Sequence, residues 1–438
     1  AIVADSWWQA EQAIKAANPQ FTGERTPVDM RTLFEDAVAN VAGREWFGRG
    51  NYDQAVQGSR PLAATYYAAP SQHLGLEPLS ATARLASGKV ELWAPTQTPG
   101  SGDADAALYP MPAGEPAGRS IEPDAAPIAV ELARAVGRPV QVSLSQSAAQ
   151  NHDRVSPGAM ARMTALPGAG GITAAWAMKV ATADGLGSAL ARLAGKEAPD
   201  DLGAGALDGS MPPYSIPNVR IEAVPVQQPF AAGYMRGSPQ REFAFFSESF
   251  IDELARATGM EPLAFRMSML GGNGRLARCL QAAARRAGWD GGGAGSTMGI
   301  AGASAFGSHI GLVATASIDD RQRVKVHRLV AAVDCGRVIN SGLVEQQIAG
   351  GLLWALAQAT VPSPEWIAGM PPARPMGGID LPRLADTPEI VIQILPSNDD
   401  PGGVSGLGTL PLAPAVANAI HSGSGKRMRA IPFDTAAA

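Results

Sequence analysis

Two glycine-containing turns carry the residue types best suited to hold an anionic ligand. The first, residues 334–340, reads Asp-Cys-Gly-Arg-Val-Ile-Asn and lies between a predicted strand and a predicted helix. Free backbone N–H groups at such a helix start, together with the positive end of the helix dipole, attract a phosphate or pyrophosphate. A hairpin that returns through a capped helix has the same composition, and short glycine motifs often occur without a ligand. The segment therefore predicts either an anion site or an ordinary turn.

The second turn, residues 402–408, reads Gly-Gly-Val-Ser-Gly-Leu-Gly and precedes a helix that contains Pro414. It could cradle a phosphate, but it matches neither the G-x-G-x-x-G fingerprint nor a P-loop. Residues 423–426, Gly-Ser-Gly-Lys, also lack the earlier glycine and the following Ser or Thr of a P-loop. Turn formation is the alternative explanation for both segments.

Arg236 is the isolated charge most suggestive of ligand binding. It stands in Gly-Tyr-Met-Arg-Gly, residues 233–237, where the nearby glycines let a guanidinium approach a ligand closely. An ordinary surface ion pair explains the same residue equally well.

Histidine and cysteine usage argues against a metal held by this chain's own side chains. The five histidines are scattered without an H-E-x-x-H pattern, which argues against zinc. One of them, His327, lies on a predicted alternating strand, where we expect it to face solvent or a neighbouring strand. Two cysteines, Cys279 and Cys335, are too few for an iron–sulfur cluster or a disulfide framework within this chain. We therefore expect any metal to arrive with a cofactor or a partner. A serine hydrolase has no support, because the sequence contains no G-x-S-x-G nucleophile elbow.

Composition narrows the function classes further. Of 438 residues, 50 are glycine and 35 are proline, which predicts a chain rich in turns. A formal net charge of −5 makes nucleic acid a poor candidate partner. The longest apolar run, residues 348–361, contains Gln358 and is shorter than the roughly 20 residues of a membrane span. Two or three globular units are expected at this length.

The elements that must position these turns follow from hydrophobic periodicity. Strands are predicted at 62–73, 90–93, 140–144, 310–316, 324–333 and 390–395; helices are predicted after Ser6, from Asp124 to a stop at Gly137, at 243–254, after Pro262, at 276–287, at 342–359 and around 414–420. Residues 96–120 are crowded with Gly, Pro and Ser, so no regular element is predicted there. Residues 288–295 are the best candidate linker. This mixture predicts an α+β (mixed α/β) fold.

Taken in order, nine segments resemble the large, molybdopterin-binding subunit of the xanthine dehydrogenase/aldehyde oxidase family, and within it the branch of the isoquinoline 1-oxidoreductase β-subunits. They read HLGLEPL at 73–79, WAPTQ at 93–97, ARAVGRPV at 133–140, HDR at 152–154 and ESFIDELA at 248–255, and the others are 233–236, 334–340, 382–392 and 414–420. Many matches that occur in the same order along the chain identify the family more specifically than any single match does.

The resemblance implies a two-lobed molybdopterin-binding fold. Residues 1–56 would be the tail of an α/β hammerhead domain and a linker, residues 57–290 the first lobe, and residues 291–438 the second. The first residues, Ala-Ile-Val-Ala, have no basic region before them. We therefore expect no signal peptide and a start inside a structural unit.

The resemblance also implies a cofactor, a reaction and partners. Members of the family bind molybdopterin cytosine dinucleotide between the lobes and oxidise aldehydes or N-heterocycles. Their electrons leave through iron–sulfur clusters on another chain, which implies no cluster in this one and a 2Fe–2S small subunit as a partner. The protein positions the cofactor and supplies a general base, usually a glutamate. The residues implied at the cofactor are Gln97, Gly114, Gly118, Arg236, Gly307, Ser308, Gly336, Asn340, Gln347, Gly403 and Gly408.

The chain departs from the family pattern where that pattern does chemistry. In the family, the second turn reads G-G-V-G-E-P-G, and Gly406 stands here in place of the general-base glutamate. The cofactor loop G-G-G-F-G-R-R becomes residues 114–120, in which Pro116 removes a backbone donor and Glu115 adds negative charge. The glutamate of Q-x-E-G-G is replaced by Ala349. No residue of this chain is therefore assigned as catalytic.

These departures predict a degenerate homologue with impaired or lost hydroxylase activity, and two hypotheses remain open. In the first, the chain binds the molybdenum cofactor and another acid, Glu115 or Glu77, replaces the missing base. In the second, it is a non-catalytic scaffold or partner subunit that pairs with an intact paralogue or an upstream fragment. The implied contacts could also persist only as turn and cap residues. The sequence leaves the substrate, the electron acceptor and the compartment open.

Overall fold

The computed structural model describes residues 1–20, 27–98, 106–111, 121–122, 124–367, 370–371 and 375–436. Its helices are α1 (Trp7–Ala17), α2 (Met30–Asn40), α3 (Tyr52–Val56), α4 (Ala125–Val136), α5 (Gln146–Asn151), α6 (Gly185–Leu193), α7 (Gln240–Ala257), α8 (Pro262–Ser268), α9 (Gly274–Ala287), α10 (Ser341–Thr360) and α11 (Leu412–Ser424). Its strands are β1 (Pro27–Val28), β2 (Arg44–Arg49), β3 (Leu62–Ala68), β4 (Ser80–Ala86), β5 (Lys89–Pro95), β6 (Ala106–Met111), β7 (Val140–Ser143), β8 (Ala159–Pro167), β9 (Thr173–Thr182), β10 (Asn218–Pro225), β11 (Met298–Ala305), β12 (Ser308–Ile318), β13 (Val324–Asp334), β14 (Trp366–Ile367), β15 (Glu389–Ile394) and β16 (Ala430–Ile431). The predicted mixed α/β class is confirmed.

The largest sheet has six strands in the order β16-β3-β8-β9-β10-β2. Strands β3, β8 and β9 are antiparallel neighbours, whereas β9 and β10 are parallel. Helix α7 packs on this sheet through aromatic side chains, since Phe250 lies with its ring centroid 5.4 Å from that of Trp176 on β9. Tyr66 of β3 contacts Phe245 and Phe246 of the same helix. These rings fix the position of α7, whose first residue follows Arg236 by four positions.

A second sheet has the order β11-β12-β13-β15. Strands β11, β12 and β13 form two antiparallel hairpins, and β15 joins β13 in parallel after the crossover helix α10. Helix α9 packs on this sheet and buries Cys279, Leu280 and Ala283, as the sequence predicts. The cross-strand position expected of His327 is confirmed, because its Nε2 lies 2.8 Å from the Ser317 hydroxyl.

A third sheet, β6-β5-β4-β7, packs on α4. The helix stops as predicted at Gly137, which adopts the left-handed conformation with φ 66°. Residues 106–111 form strand β6 parallel to β5, so the expectation of no regular element across 96–120 is wrong at this strand. Composition alone does not predict this short strand, because the residues on either side of it are rich in Gly and Pro.

Other differences from the sequence expectations have local causes. Helix α2 and strands β2 and β11 are not predicted from the sequence; β2 has no buried residue and β11 consists mostly of Gly and Ala, so neither shows apolar alternation. Strand β3 ends at Ala68, although the sequence predicts a strand to His73. Beyond Ala68, the Ala69 N–H still donates to the Ile431 carbonyl of β16, but Pro70 has no N–H to continue the ladder, and Ser71 forms only an isolated bridge with Ser156.

Helix α1 is on the surface. The Ser6 hydroxyl accepts the Gln9 N–H at 3.3 Å, which confirms the predicted N-cap, and none of the residues of α1 is buried. Within the part of the chain that the structure describes, none of the helices combines the length and the apolar character needed to cross a bilayer.

One buried carboxylate, that of Glu248, joins α7, which packs on the six-stranded sheet, to the β11-β12-β13-β15 sheet. Its Oε2 accepts hydrogen bonds from Arg266 Nε at 2.9 Å and from the Gly302 N–H of β11 at 2.8 Å. Its Oε1 accepts the Tyr214 hydroxyl at 2.5 Å, and burial raises the pKa of that hydroxyl well above its usual value, so it stays protonated. Arg266 is itself fully buried and also donates to the carbonyls of Glu248 and Pro262. Every charge in this cluster is therefore neutralised and hydrogen-bonded.

Replacing Glu248 with Ala should strongly destabilise the fold. The Glu248→Ala variant would leave the Arg266 cation and the Gly302 N–H buried without their acceptor, and breaking a buried pair in this way costs about 3–5 kcal/mol. Urea unfolding followed by circular dichroism measures the free energy of unfolding. The matched control is Glu35→Ala, which removes an exposed i,i+4 pair with Arg31 and should change that free energy by less than about 0.5 kcal/mol. Similar losses in the two variants would contradict the assignment.

Candidate functional site

The turn at residues 402–408 lies where the loops of the second sheet meet. The Gly403 N–H donates to the Phe306 carbonyl at 2.7 Å, and the Gly402 N–H donates to the Cys335 carbonyl at 2.9 Å. These bonds hold the β11–β12 hairpin turn and the β13–α10 turn against the segment that precedes α11. The two turns singled out in the sequence are therefore neighbours in the fold.

Arg236, just before α7, reaches the same turn. Its Nε donates to the Ser405 carbonyl at 2.5 Å, and its Nη2 donates to the carbonyl and the Oε1 of Gln347 at 2.9 and 3.1 Å. Burial lowers the pKa of this guanidinium, although arginine remains a cation at neutral pH. All of these partners are neutral oxygens, so among the described residues Arg236 does not form the surface ion pair that the sequence allowed. The structure thus brings Arg236 and Gln347 together at the turn.

The turn presents three backbone amides in succession. Among the residues that the structure describes, no acceptor takes the N–H groups of Val404, Ser405 and Gly406. Consecutive free amides next to a cationic side chain form a suitable environment for an anion such as a phosphate. The electrostatics of the turn therefore fit an anionic ligand.

The ring of Phe306 lies against the Cα of Gly406. A Cβ built at position 406 would be 3.0 Å from Cε2 and 3.3 Å from Cζ of that ring. Gly406 has φ −94° and ψ −16°, which any residue can adopt, so the restriction comes from contact with the ring and not from the backbone. Phe306 has a left-handed φ of 56° and remains 39% exposed. A Cβ at position 406 therefore requires the Phe306 ring to shift by a few tenths of an ångström.

Ser308 contributes a buried polar group that lacks a partner. Its Oγ is inaccessible to solvent and makes no hydrogen bond with the described residues. A Cβ at Gly402 would lie 2.3 Å from this oxygen, so the hydroxyl stands directly against the turn. Leaving a buried hydroxyl unpaired costs about 1–3 kcal/mol. The free amides and the Arg236 cation suit an anionic group such as a phosphate, whereas the Ser308 hydroxyl is closed off from the space in front of the turn.

Gly336 and Asn340 have structural roles in the first turn. The Asn340 Oδ1 accepts the Leu343 N–H at 3.0 Å and so caps α10. The Gly336 N–H donates to Asp334 Oδ1 at 3.2 Å, and a Cβ at position 336 would lie only 2.1 Å from the Asp400 carbonyl oxygen. These contacts match the turn and cap roles that the sequence allowed, and direct ligand contact by either residue stays a prediction.

The other predicted site residues lie in different places. Gly408 packs against α10, since a Cβ there would be 2.5 Å from the Ile348 carbonyl oxygen. Gly307 forms the hairpin turn beside Phe306 with φ 75°. Gln97 is exposed after β5, and no described contact joins it to the turn at 402–408. Gly114 and Gly118 lie outside the described residues, as does Glu115.

Neither cysteines nor acidic clusters supply metal ligands in the described part of the chain. No group of three or more His, Cys, Asp or Glu side chains there is placed to hold a metal ion. Both cysteines are buried, and burial raises the pKa of the Cys279 thiol to about 12. Glu77, one of the two acids considered as a replacement base, is exposed on the loop between β3 and β4.

Phe306 is the site residue that sequence reasoning misses. It precedes Gly307, which the resemblance includes, but an aromatic residue before a glycine in a hairpin has no distinctive pattern. Its significance comes from contact with Gly406, which is 100 positions away in the chain. Gly406 is the available signal, because the resemblance implies a glutamate there and a missing side chain leaves space that a neighbour can fill.

Two family models match the chain, and both are described as a molybdopterin cofactor-binding domain. One matches residues 118–270, which include Arg236, and the other matches residues 284–388, which include Ser308 and Gln347. Together they cover more than half of the chain.

Relatives with assigned names are more distant in sequence and considerably longer. The chain is 28% identical over 478 aligned positions to one of the subunits of nicotinate dehydrogenase from Pseudomonas putida, covering 97% of this chain and 39% of that one. It is 28% identical over 236 residues to the β-subunit of isoquinoline 1-oxidoreductase from Brevundimonas diminuta, covering 52% of this chain and 30% of the relative. The chain thus spans about a third of the length of these curated relatives.

Solved structures share the fold. Quinoline 2-oxidoreductase from Pseudomonas putida 86 superposes with a TM-score of 0.75 at 14% identity, over 98% of this chain and 83% of the other. The aldehyde oxidoreductase from Desulfovibrio desulfuricans gives a TM-score of 0.70 at 15% identity, over 94% of this chain and 65% of that one.

A methyl group at position 406 should destabilise the folded state only while the Phe306 ring is present. Gly406→Ala should lower the free energy of unfolding by about 1 kcal/mol, the lower end of the cost of overpacking, since the Phe306 ring has to shift by only a few tenths of an ångström. In a Phe306→Ala background the same change should cost at least about 0.5 kcal/mol less, the size of coupling typical of residues in contact. A double-mutant cycle in urea measures this coupling.

The control for that cycle is Gly377→Ala, where a Cβ would meet nothing within 4 Å. This substitution should behave alike in both backgrounds. Additive costs for Gly406→Ala and Phe306→Ala would show that the ring does not restrict position 406.

Proposed function

We propose that this chain, which belongs to the large-subunit family of the molybdenum hydroxylases, holds the molybdenum cofactor at the 402–408 turn. We further propose that its hydroxylase activity is impaired or lost. The observation that carries this proposal is the contact between Phe306 and Gly406. Position 406 is where the family pattern has its general-base glutamate, and here a ring lies against the glycine Cα. Losing a positioned base typically reduces the rate about 10²–10⁴-fold.

The residues around the turn suit cofactor binding better than catalysis. Arg236 would supply positive charge, and the free amides of residues 404–406 would donate to phosphate oxygens of the cofactor. When bound, the cofactor supplies two-electron redox chemistry. The cytosine dinucleotide form and a partner with a 2Fe–2S cluster belong to this proposal by family resemblance.

The lobe boundaries are also proposals. The first lobe, residues 57–290, would contain most of the six-stranded sheet, and the second, residues 291–438, would contain β11 to β15 together with α10 and α11. Residues 1–56 would contact both lobes, because β2 pairs with β10 and β1 pairs with β14. The proposed cofactor cradle would then use Arg236 from the first lobe and residues 306–308 and 402–408 from the second.

A non-catalytic scaffold is the second candidate. Beyond the glycine at position 406, α10 carries Ala349 where the family pattern has a glutamate. A chain that has lost acidic side chains at two places while keeping its fold could serve to pair with an intact paralogue or an upstream fragment. The two candidates differ in whether the purified chain holds molybdenum.

Purified protein should contain about one molybdenum per chain when expressed in a host that makes the cofactor, and acid release should yield a cytidine nucleotide. Arg236→Gln should lower that content severalfold, because it removes the cation that faces the turn. Mass spectrometry of the metal and chromatography of the released nucleotide measure both quantities. Folded protein without molybdenum would favour the scaffold.

Restoring the base should require two substitutions. Gly406→Glu alone should gain little aldehyde or N-heterocycle oxidation, because the Phe306 ring crowds the new side chain. Gly406→Glu combined with Phe306→Ala should raise turnover per bound molybdenum at least tenfold, toward the contribution of about 10²–10⁴ expected of a general base. Dye reduction normalised to molybdenum content gives this turnover. Equal turnover in the single and double variants would reject this explanation of the lost activity.

A further inference from the structure

A cavity of about 550 Å³ lies beside the second half of α10. It is enclosed by the loop after β3, by one side of α10 and by the loop that precedes β15. Its wall is predominantly carbon, from Leu353, Trp354, Leu356, Ala357, Val361 and Leu381 among others. Leu384 and Leu76 stand at its mouth and are 92% and 65% exposed. A concave, mostly apolar space of this size is typical of a small-molecule site.

The cavity adjoins the proposed cofactor cradle through α10. Gly350 lines the cavity, and a Cβ built on it would lie 3.7 Å from Nη1 of Arg236. Gln347, which accepts the hydrogen bond of Arg236, is one turn earlier on the same helix. A molecule in the cavity would therefore lie next to the cradle, separated from Arg236 only by a glycine.

The charged groups that line the cavity are cationic or already paired. Arg383 lies at its edge, and the described residues offer its guanidinium no ion-pair partner. The neighbouring Asp386 uses its carboxylate to accept the Arg383 backbone N–H at 2.9 Å. The imidazole of His73 faces Asp153 at 3.1 Å through Nδ1 and the Tyr234 carbonyl at 3.2 Å through Nε2. No Asp or Glu among the described residues lines the cavity itself.

We propose that this cavity binds an apolar carboxylate, namely a ring compound that bears one carboxyl group. The ring lies among Leu353, Trp354 and Ala357, and the carboxylate pairs with Arg383 at the mouth. Charge complementarity selects this ligand over a neutral one, because Arg383 is a cation at the mouth and no described lining acid opposes it. That such a compound is also the substrate of the cradle rests on the proposed function; the binding itself does not.

Isothermal titration of the full chain without cofactor tests the binding, with 2-naphthoate as the probe and 2-naphthamide as its neutral counterpart. The carboxylate should bind about fivefold more tightly than the amide, the upper range for an ion pair near the surface. Arg383→Gln should abolish this preference and leave the affinity for the amide unchanged. Arg286→Gln, an exposed arginine of α9 outside the cavity, is the matched control and should preserve the preference.

Two further variants test the location. Ala357→Phe fills the cavity and should abolish binding of both probes, and Leu353→Trp does the same from the neighbouring turn of α10. The proposal is overturned if either cavity-filling variant keeps its melting temperature and still binds both probes. It is also overturned if the Arg383→Gln variant still prefers the carboxylate. Absence of molybdenum from the native protein would defeat the proposed function alone, because these titrations use the chain without cofactor.

Discussion

The arrangement of the site depends on the buried carboxylate of Glu248. It pairs with the buried Arg266 within the helical layer and also accepts the Gly302 N–H of strand β11. Taking charges out of water is expensive unless they are paired and fully hydrogen-bonded, so this cluster has a demanding geometry. Because α7 follows Arg236 and β11 leads to Phe306, this carboxylate ties together the two elements that carry these side chains to the 402–408 turn.

Glycine at a few positions allows the loops to approach each other at that turn. Gly402 leaves room for the Ser308 hydroxyl, and Gly406 leaves room for the Phe306 ring. The same absence of side chains has a chemical consequence, because a glycine can donate a backbone N–H to an anion but cannot accept a proton from a substrate. The turn therefore offers backbone donors to an anion and has no side-chain proton acceptor at position 406.

Sequence reasoning succeeded where local patterns are strong and failed where they are weak. The left-handed stop of α4 at Gly137 and the buried stripe of α9 at Cys279 and Leu280 were predictable from spacing. Strand β11 was not, because its small residues give no alternation, and β6 was concealed by its Gly- and Pro-rich flanks. At the site, Arg236 and Gln347 could be named from the resemblance, but their hydrogen bond and the contact of Phe306 with Gly406 could not.

By itself, the sequence determined the mixed α/β class, the membership of the large-subunit family and the glycine at position 406, because these follow from residue identity and local order. Only the tertiary structure decided what occupies the space beside Gly406, which amides remain free in the turn, and that an apolar cavity with Arg383 at its mouth adjoins the cradle. The physical reason is that side-chain contacts between distant segments depend on how helices and sheets pack, and this packing leaves no periodic signal in the chain.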